Sequence, residues 1–492
     1  MIDTQAVRNK ILNLAFQGKL LSQATYDYSV KEILDNCKSD KEQAIKEGKC
    51  KKESFRGPLE ISDYPFDIPE NWAFVYISDM ALFQEGPGIL GKDFRENGVP
   101  LIRIAGMQGN KVSKIGCNYL DPDMVAKKWN HFKLDVGDIV ISTSASLDKI
   151  AEVEEDTAGC IAYTGLIRFK MYGGIDKEYF KYYIKSPFYV RQIENQITGV
   201  AISHYGPTHL KKMVIPIPPL AEQNKIVSEL DITFNELKLI DDLQQQYANN
   251  IISLNKKILD LAVMGKLVPQ DPNDEPANVL LKKIAEEKLK LIKEGKIKKQ
   301  KALPAIMEDE IPFDIPESWE WVRLDSICAK ITSGSTPAGG KKSNAYVEEG
   351  FPFFREQNVY NDGIREKGLV YITEELLNTR ANSTVVANDI LLNITGGSIG
   401  RCALISNDFD RGSINQHILI IRNVNPALKH YIHLCLCSPY FQRQIMGNVV
   451  GDKDGFSAGR CRRTLVPIPP LEEQKRIVHA VRLLSEQINS LR

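Results

Sequence analysis

The sequence predicts an α+β protein: two pseudo-symmetric globular domains separated by a long antiparallel two-helix coiled coil. Three observations predict it. Residues 65–72, PFDIPENW, return as PFDIPESW at 312–319, an offset of 247 residues. A stripe of apolar residues steps by three and four from Ile226 to Leu261, as the seam of a coiled coil does. Between the repeated segments lie short apolar runs, such as Asp138-Ile139-Val140-Ile141 and Asp389-Ile390-Leu391-Leu392. Glycine-rich turns bound these runs, which is the pattern of strand-rich domains.

The elements follow in order. Residues 1–22 form an N-terminal helix (about 4–17) whose Ile11-Leu12-Asn13-Leu14-Ala15 and Gly18-Lys19-Leu20 return as Ile258-Leu259-Asp260-Leu261-Ala262 and Gly265-Lys266-Leu267. Residues 23–64 are charged, with a helical piece near 29–47 ending in the lysine-rich IKEGK, and read as helix plus linker. Residues 65–219 are the first globular domain. Within it, Lys177–Ile193 reads as a helix interrupted near Ser186-Pro187. Residues 220–267 are a central helix, and 268–311 repeat the charged helix and linker. Residues 312–470 are the second domain, with a helix over Ala427–Ile445 interrupted near Ser438-Pro439. Residues 471–492 are a C-terminal helix.

The exit from each domain also repeats. Val214-Ile215-Pro216-Ile217-Pro218-Pro219-Leu220-Ala221-Glu222-Gln223 returns as Leu465-Val466-Pro467-Ile468-Pro469-Pro470-Leu471-Glu472-Glu473-Gln474, offset by 251. Proline suits the first turn of a helix. The central stripe comprises Ile226, Leu230, Phe234, Leu237, Ile240, Leu243, Tyr247, Ile251, Leu254, Ile258 and Leu261, uninterrupted by Pro or Gly until Gly265. At 1.5 Å per residue this is a rod of roughly 65 Å. Ile477, Val481, Leu484, Ile488 and Leu491 repeat the stripe. The C-terminal helix copies the first half of the rod and the N-terminal helix its second half. A stripe of this kind must be buried, and its own copy is the simplest partner. Two-fold pseudo-symmetry then makes the rods antiparallel, with the domains at opposite ends.

Composition bounds the function. The 492 residues are 43% hydrophobic and 26% charged, with no net charge, as in ordinary globular proteins. Neither a membrane span nor a signal peptide is expected. Nine cysteines without framework spacing fit a reducing, cytoplasmic setting. The segment HYIHLCLC offers Cys435, Cys437, His430 and His433 but reads as a buried helix, so no metal is assigned. Basic clusters at Lys282 to Lys301, Arg460 to Arg463 and Lys211-Lys212 each read singly as solvated faces.

Catalytic motifs are absent. Gly86-Pro87-Gly88-Ile89-Leu90-Gly91-Lys92 fits G-x4-G-K, but Asp93 stands where magnesium needs a hydroxyl. The Pro-Pro pairs have Ile before and Leu after, unlike the Asn/Asp-Pro-Pro-aromatic motif of adenine methyltransferases. No dinucleotide-binding fingerprint appears, and the carboxylates from Glu152 to Asp156 read as solvated loop charge. The chain is expected not to be an enzyme.

The frame resembles the specificity (S, or HsdS) subunit of Type I restriction-modification systems. The residues that carry the resemblance are the Ile-Pro-Glu-x-Trp entries (Ile68 to Trp72, Ile315 to Trp319) and the Pro-x-Pro-Pro-Leu-x-Glu-Gln exits (Pro216 to Gln223, Pro467 to Gln474). The Ala-x-x-Gly-Lys-Leu ends (Ala15 to Leu20, Ala262 to Leu267) add to it. Gly334-Ser335-Thr336-Pro337 matches the family's Gly-x-Thr-Pro opening, and Gly86-Pro87-Gly88-Ile89 is a variant of it. Gly137-Asp138-Ile139 and Asn388-Asp389-Ile390 match the Gly-Asp-Ile strand. The resemblance implies two DNA-recognition domains, each reading half of a split double-stranded DNA site. It implies rods that set the spacer and dock two methyltransferase subunits, restriction/translocase subunits as further partners, and no catalysis in this chain. S-adenosylmethionine, ATP and magnesium are then cofactors of the partner subunits, not of this one. A coiled-coil scaffold with duplicated protein-binding domains is the alternative.

Base readout uses guanidinium groups and planar amides, with Lys and hydroxyls on phosphates. In the domains that the resemblance assigns to DNA, such residues beside glycine turns are the candidates. The first domain offers Arg95, Arg103, Gln108, Asn110, Ser142, Thr143, Ser144, Lys149, His204 and Tyr205. The second offers Thr336, Lys341, Lys342, Arg355, Gln357, Asn358, Thr395, Ser398, Arg401, Arg411, Gln416, Arg460, Arg462 and Arg463. Arg355 and Gln357, two apart, are expected on one face of a strand.

Overall fold

The repeated entry and exit motifs are two sides of one clasp. In the computed structural model, the strand Ala73–Tyr76, which follows the Ile68 to Trp72 entry, pairs antiparallel with the exit strand Val214–Ile217. Glu320–Arg323 pairs in the same way with Leu465–Ile468. Each exit strand is buried along its whole length. The long inserted segment leaves and returns through this two-stranded neck. The structure describes residues 1–22, 29–49, 53–143, 149–196, 205–337, 345–447 and 456–491. It divides into two compact units, Met1–Gln244 and Gln245–Arg492.

The first unit carries a sheet in the order Ala81–Glu85, Leu166–Met171, Ile139–Ser142, Ile150–Glu152, Lys111–Val112, Met107–Gln108. The second unit repeats the first four positions as Cys328–Ser333, Ile418–Asn423, Ile390–Asn393, Cys402–Leu404. The runs seen in the sequence, 139–141 and 390–392, are the interior strands, buried on both faces. A second sheet in each unit contains a parallel pair: Val99–Ile102 beside Ile161–Ala162 at the sheet's edge, and Phe351–Phe354 beside Arg411–Ile414 at its centre. Helices and strands are thus mixed in each unit, as the predicted α+β class requires.

A broken helix packs on the sheet that holds each of these interior strands. Lys177–Lys185 is followed by Pro187–Glu194, and Lys429–Cys437 by Pro439–Gly447. The breaks fall at the predicted Ser-Pro steps, where Ser186 and Ser438 accept from the backbone N–H of Tyr189 and Phe441, as N-caps do. Tyr179 and Tyr431 tie these helices to the clasp. Each hydroxyl donates to an exit-strand carbonyl, of Pro216 and Pro467 respectively, at 2.9 Å.

The charged segments are more than linkers. The helix Lys31–Lys46 buries Ile33, Cys37 and Ala44 in the first core. Lys41 makes a 2.7 Å ion pair with Asp79, both side chains almost wholly enclosed. Asp79 also accepts from the N–H groups of Arg56 and Gly57, which supplies the hydrogen bonds a buried charge needs. In the second unit Ala277–Lys293 buries Ala277, Leu280 and Ile284. Sparse apolar residues at helical spacing suffice to dock a helix whose other faces are charged.

The central helix is Leu220–Val263, 44 residues. Ile226 and Leu230 enter the first unit's core together with Leu12, Ala15 and Phe16 of the helix Thr4–Phe16. That helix runs antiparallel to the central one. Thr4 Oγ1 donates to Asp241 at 2.5 Å and Arg8 pairs with the same carboxylate at 2.7 Å. In the second unit Ile251 and Ile258 pack with Ile488 of the helix Leu471–Ser490, again antiparallel, and Tyr247 Oη donates to the Leu491 carbonyl at 2.8 Å. The apolar stripe is incomplete, because Leu243, Tyr247 and Leu254 are largely exposed. Near the middle of the helix, polar contacts to Asp241, Gln244 and Tyr247 replace apolar ones.

Helix ends meet domain entries. Gly18 (φ +67°) and Gly265 (φ +70°) follow the helices Thr4–Phe16 and Leu220–Val263 in the left-handed conformation. A Cβ atom on Gly18 would overlap the Pro69 ring, and one on Gly265 the Pro316 ring. Pro69 and Pro316 belong to the Ile-Pro-Glu-x-Trp entries. Two repeated motifs far apart in sequence are therefore one contact.

Candidate nucleic-acid interface

Candidates from separate segments of the second domain converge. The strand Phe351–Phe354 ends before Arg355, which is the N-cap of a 3₁₀ turn, Glu356–Asn358. Arg355 and Gln357 therefore do not share a strand face, as their spacing suggested. The turn nonetheless directs Arg355 Nη2 and Gln357 Nε2 to one acceptor, the Gly368 carbonyl, the latter at 3.2 Å. Glu356 between them accepts from Asn415 Nδ2 at 2.7 Å. Burial opposes ionisation of Glu356, but this hydrogen bond, one from its own backbone N–H and the charges of His417 and Arg355 together outweigh it and hold the carboxyl below its ordinary range. Asn393 Nδ2 donates to the Glu356 carbonyl at 2.8 Å and to Ser398 Oγ at 3.1 Å.

Next to Asn415, Gln416 accepts from Thr336 Oγ1. Gln416 Nε2 lies 2.9 Å from His417 Nε2, and His417 Nδ1 lies 2.6 Å from Thr395 Oγ1. Thr336, Arg355, Gln357, Thr395, Ser398 and Gln416 thus belong to one polar network. Arg401 stands over the Tyr360 ring at 4.4 Å, and Arg365 over the same ring at 4.8 Å. Arg380 donates to the Ser335 carbonyl and to Ser413 Oγ. Burial lowers its guanidinium pKa. Burial together with Arg422 pushes Lys330 down to about 8. Arg422 itself pairs with the buried Asp389 at 2.7 Å.

Sequence reasoning missed His417, Glu356, Arg365 and Arg380. His417 follows Gln416 directly, so a polar pair at a strand entrance was the available signal. The other three resemble any surface charge until the fold brings them to the network.

Other candidates take different partners. Arg411 pairs with Glu374 at 3.0 Å. Arg460, Arg462 and Arg463 lie on the helix Ala458–Arg463, where Arg462 pairs with Asp325 at 3.1 Å and Arg463 donates to the Gly459 carbonyl. In the first domain Arg103 occupies the place of Arg355: it follows the strand Val99–Ile102 and precedes a 3₁₀ turn, with the same extended backbone. It donates to Asn118 at 3.1 Å and lies over Tyr163, whose ring packs on Phe94. Arg95 follows Phe94 and is exposed. Gln108 and Asn110 are exposed at the hairpin formed by Met107–Gln108 and Lys111–Val112, and Lys149 is half-buried beside the strand Ile150–Glu152.

Four candidates are corrected by burial. Ser142 and Thr143 are fully enclosed at the end of an interior strand, and Thr143 Oγ1 donates to the Gly165 carbonyl. Tyr205 is 1% exposed, its hydroxyl 3.0 Å from that of Tyr189. Asn358 is buried: its Oδ1 accepts from Arg355 N–H and its Nδ2 donates to the Arg365 carbonyl. These side chains build the domains and cannot reach a base. Ser144, His204, Lys341 and Lys342 lie outside the described residues. The G-x4-G-K segment follows a strand but leads into a 3₁₀ turn, Gly91–Asp93, and a short strand. It lacks the helix N-terminus that a phosphate loop requires. Gly86 instead matches Gly334 in place: a Cβ on either would overlap a strand carbonyl, of Ala162 and Ile414. No helix among the described residues is long and apolar enough to cross a membrane.

Comparison with known proteins bears on what this surface does. The Type I restriction enzyme EcoAI specificity subunit of Escherichia coli is 28% identical, over 99% of this chain and 90% of that protein. The EcoEI specificity subunit of Escherichia coli is also 28% identical, over 96% of this chain and 88% of its own length. A solved chain from work on the "complex assembly and conformational transition of the type I R-M system" shares the fold. It has a TM-score of 0.56 and 18% identity over 87% of this chain and 93% of that one. The family model for the Type I restriction modification DNA specificity domain matches residues 69–247 and again 316–491. Matched once in each half, from the entry motif into the following helix, this chain belongs to the Type I restriction-modification DNA specificity family.

Proposed function

We propose that this chain is the DNA-specificity subunit of a Type I restriction-modification complex. Each inserted domain reads one half of a bipartite double-stranded site. The observation that carries this reading is the double family match, which coincides with two insertions on identical clasps whose interior polar residues differ. Arg103, Arg355 and Gln357 contact base edges in their respective domains, and neighbouring cations contact phosphates.

The helices that follow the two exits pair along an antiparallel coiled coil, set the unread spacer and dock two methyltransferase subunits. Methyl transfer, ATP-driven translocation and cleavage belong to partner subunits, which bring S-adenosylmethionine, ATP and magnesium. This chain supplies recognition without catalysis and acts in the cytoplasm.

The test is sequencing of methylated bases in the host genome with and without the gene. The expected result is one bipartite motif, two short specific halves around an unread gap, whose methylation vanishes on deletion. An unchanged methylation pattern in a strain with active partner subunits would contradict the reading.

A further inference from the structure

We propose that Cys402, His433 and Cys437 form a binding site for a borderline-soft divalent metal ion of the zinc class. The three offer Sγ, a ring nitrogen and Sγ, all within 4.8 Å of one another. His433 Nε2 lies 3.6 Å from Cys437 Sγ. A tetrahedral zinc ion, with Zn–S of about 2.3 Å and Zn–N of about 2.0–2.1 Å, places its N and S ligands about 3.5 Å apart. The ligand edge is therefore already at the length the ion requires. Two sulfurs and an imidazole are the donors that select zinc over magnesium or calcium. Two thiolates also cancel the charge of the ion, so a neutral centre can sit in a largely enclosed place.

The fold explains why these three meet. His433 and Cys437 are four apart on the helix Lys429–Cys437 and share a face. Cys402 opens the strand Cys402–Leu404, an edge strand next to Ile390–Asn393, beneath that helix. Cys435, nearer in sequence to Cys437, points into the core and takes no part. In the first domain the equivalent helix and the equivalent strand, Ile150–Glu152, are joined by another cross-link: Lys181 and Lys177 pair with Glu152 at 2.7 and 3.0 Å. The same seam is thus bridged by an ion pair in one domain and by sulfur and imidazole in the other.

Binding is balanced as follows. His433 Nε2 now lies 2.9 Å from the Cys402 carbonyl. The neutral imidazole moves its proton to Nδ1 and presents Nε2, both thiols release their protons, and the ion takes their place. Cys402 is enclosed, whereas His433 and Cys437 are partly exposed, so water completes the coordination from the open side. Cys402 follows Arg401, whose guanidinium lies over Tyr360. The ion would therefore fix the strand that carries that cation.

The test uses the full chain, reduced and stripped with a chelator, and titrated with cobalt(II). The expected result is a thiolate-to-cobalt charge-transfer band that saturates at one equivalent and is bleached by zinc. Cys437→Ser and His433→Gln should each abolish the band while retaining cooperative thermal unfolding in the absence of metal. Cys117→Ser, a partly exposed cysteine of the first unit, should keep it. Cys402 is fully buried, so the two partly exposed ligands carry the test. Absence of a stoichiometric band in the native sequence, or its survival in Cys437→Ser, would overturn the proposal.

Discussion

Arg355 and Gln357 donate to a single acceptor, the carbonyl oxygen of Gly368. A planar guanidinium and a planar amide are thereby aimed in a common direction at a turn edge, and neither needs a strand to align it. Replacing either by alanine is expected to weaken specific binding by roughly 1–3 kcal/mol and to relax one base position. Quantitative binding to a site library checks this, and unchanged preference would remove the pair from the readout set. Gly368→Ala should act in the same direction, since a Cβ there meets Gln357 Nε2.

The joint between helix end and domain entry makes a stability prediction. Gly18→Ala and Gly265→Ala combine a left-handed backbone with overlap of a proline ring, and each should cost about 1–3 kcal/mol. Gly48→Ala and Gly295→Ala have similar φ values but nothing within 4 Å, so the backbone term alone, about 1 kcal/mol, should remain. Denaturant unfolding of the four variants measures the difference.

The buried pair Lys41–Asp79 makes another. Asp79→Ala strands an enclosed ammonium and the N–H groups of Arg56 and Gly57. A cost of roughly 3–5 kcal/mol is expected. Asp325→Ala, which removes the partner of the equivalent Lys288 from a neighbouring position, should cost less, because Asp325 is partly exposed and Lys288 stands 3.7 Å from it. Equal losses in denaturation midpoints would show that burial is not the cause.

Much of this architecture was legible because the chain repeats itself. Pro69 and Trp72, Pro216 and Gln223, and Gly18 each recur, and recurrence marks where an element must fit a neighbour. The Ser-Pro breaks were legible from local chemistry. What failed depends on long-range context. Leu243, Tyr247 and Leu254 keep the heptad spacing yet are exposed, although Ile251 between them is buried against Ile488. Ser142 and Thr143 carry hydroxyls suited to a phosphate, but the unbroken run 139–141 marks an interior strand that encloses them. Asn358 has the chemistry of a base reader, but it sits three residues past its capping partner and is consumed there. Cys402 and Cys437 are thirty-five positions apart, and only the pairing of strand with helix brings them together.

The rod supplies a prediction about spacing. Four helical residues inserted after Gln246 extend the helix by about 6 Å, nearly two base-pair steps of about 3.4 Å, with only a local stutter in the seam. The preferred spacer should lengthen by about one or two base pairs while both half-site sequences stay the same. Selection on DNA libraries of variable spacer measures it. An unchanged spacer in a folded, binding variant would show that the rod does not set the distance.

The most direct test of independent half-site reading replaces residues 73–213 with the corresponding insert of another family member. The clasp is then rebuilt from the donor's entry strand and this chain's own exit strand, where Ile215 and Pro216 pair with positions 75 and 74. The methylated sites of a host carrying the chimera are then sequenced. The expected result is a bipartite motif in which one half changes to that of the donor, while the other half and the spacer stay as before. A change in both halves, or in neither, would contradict the account.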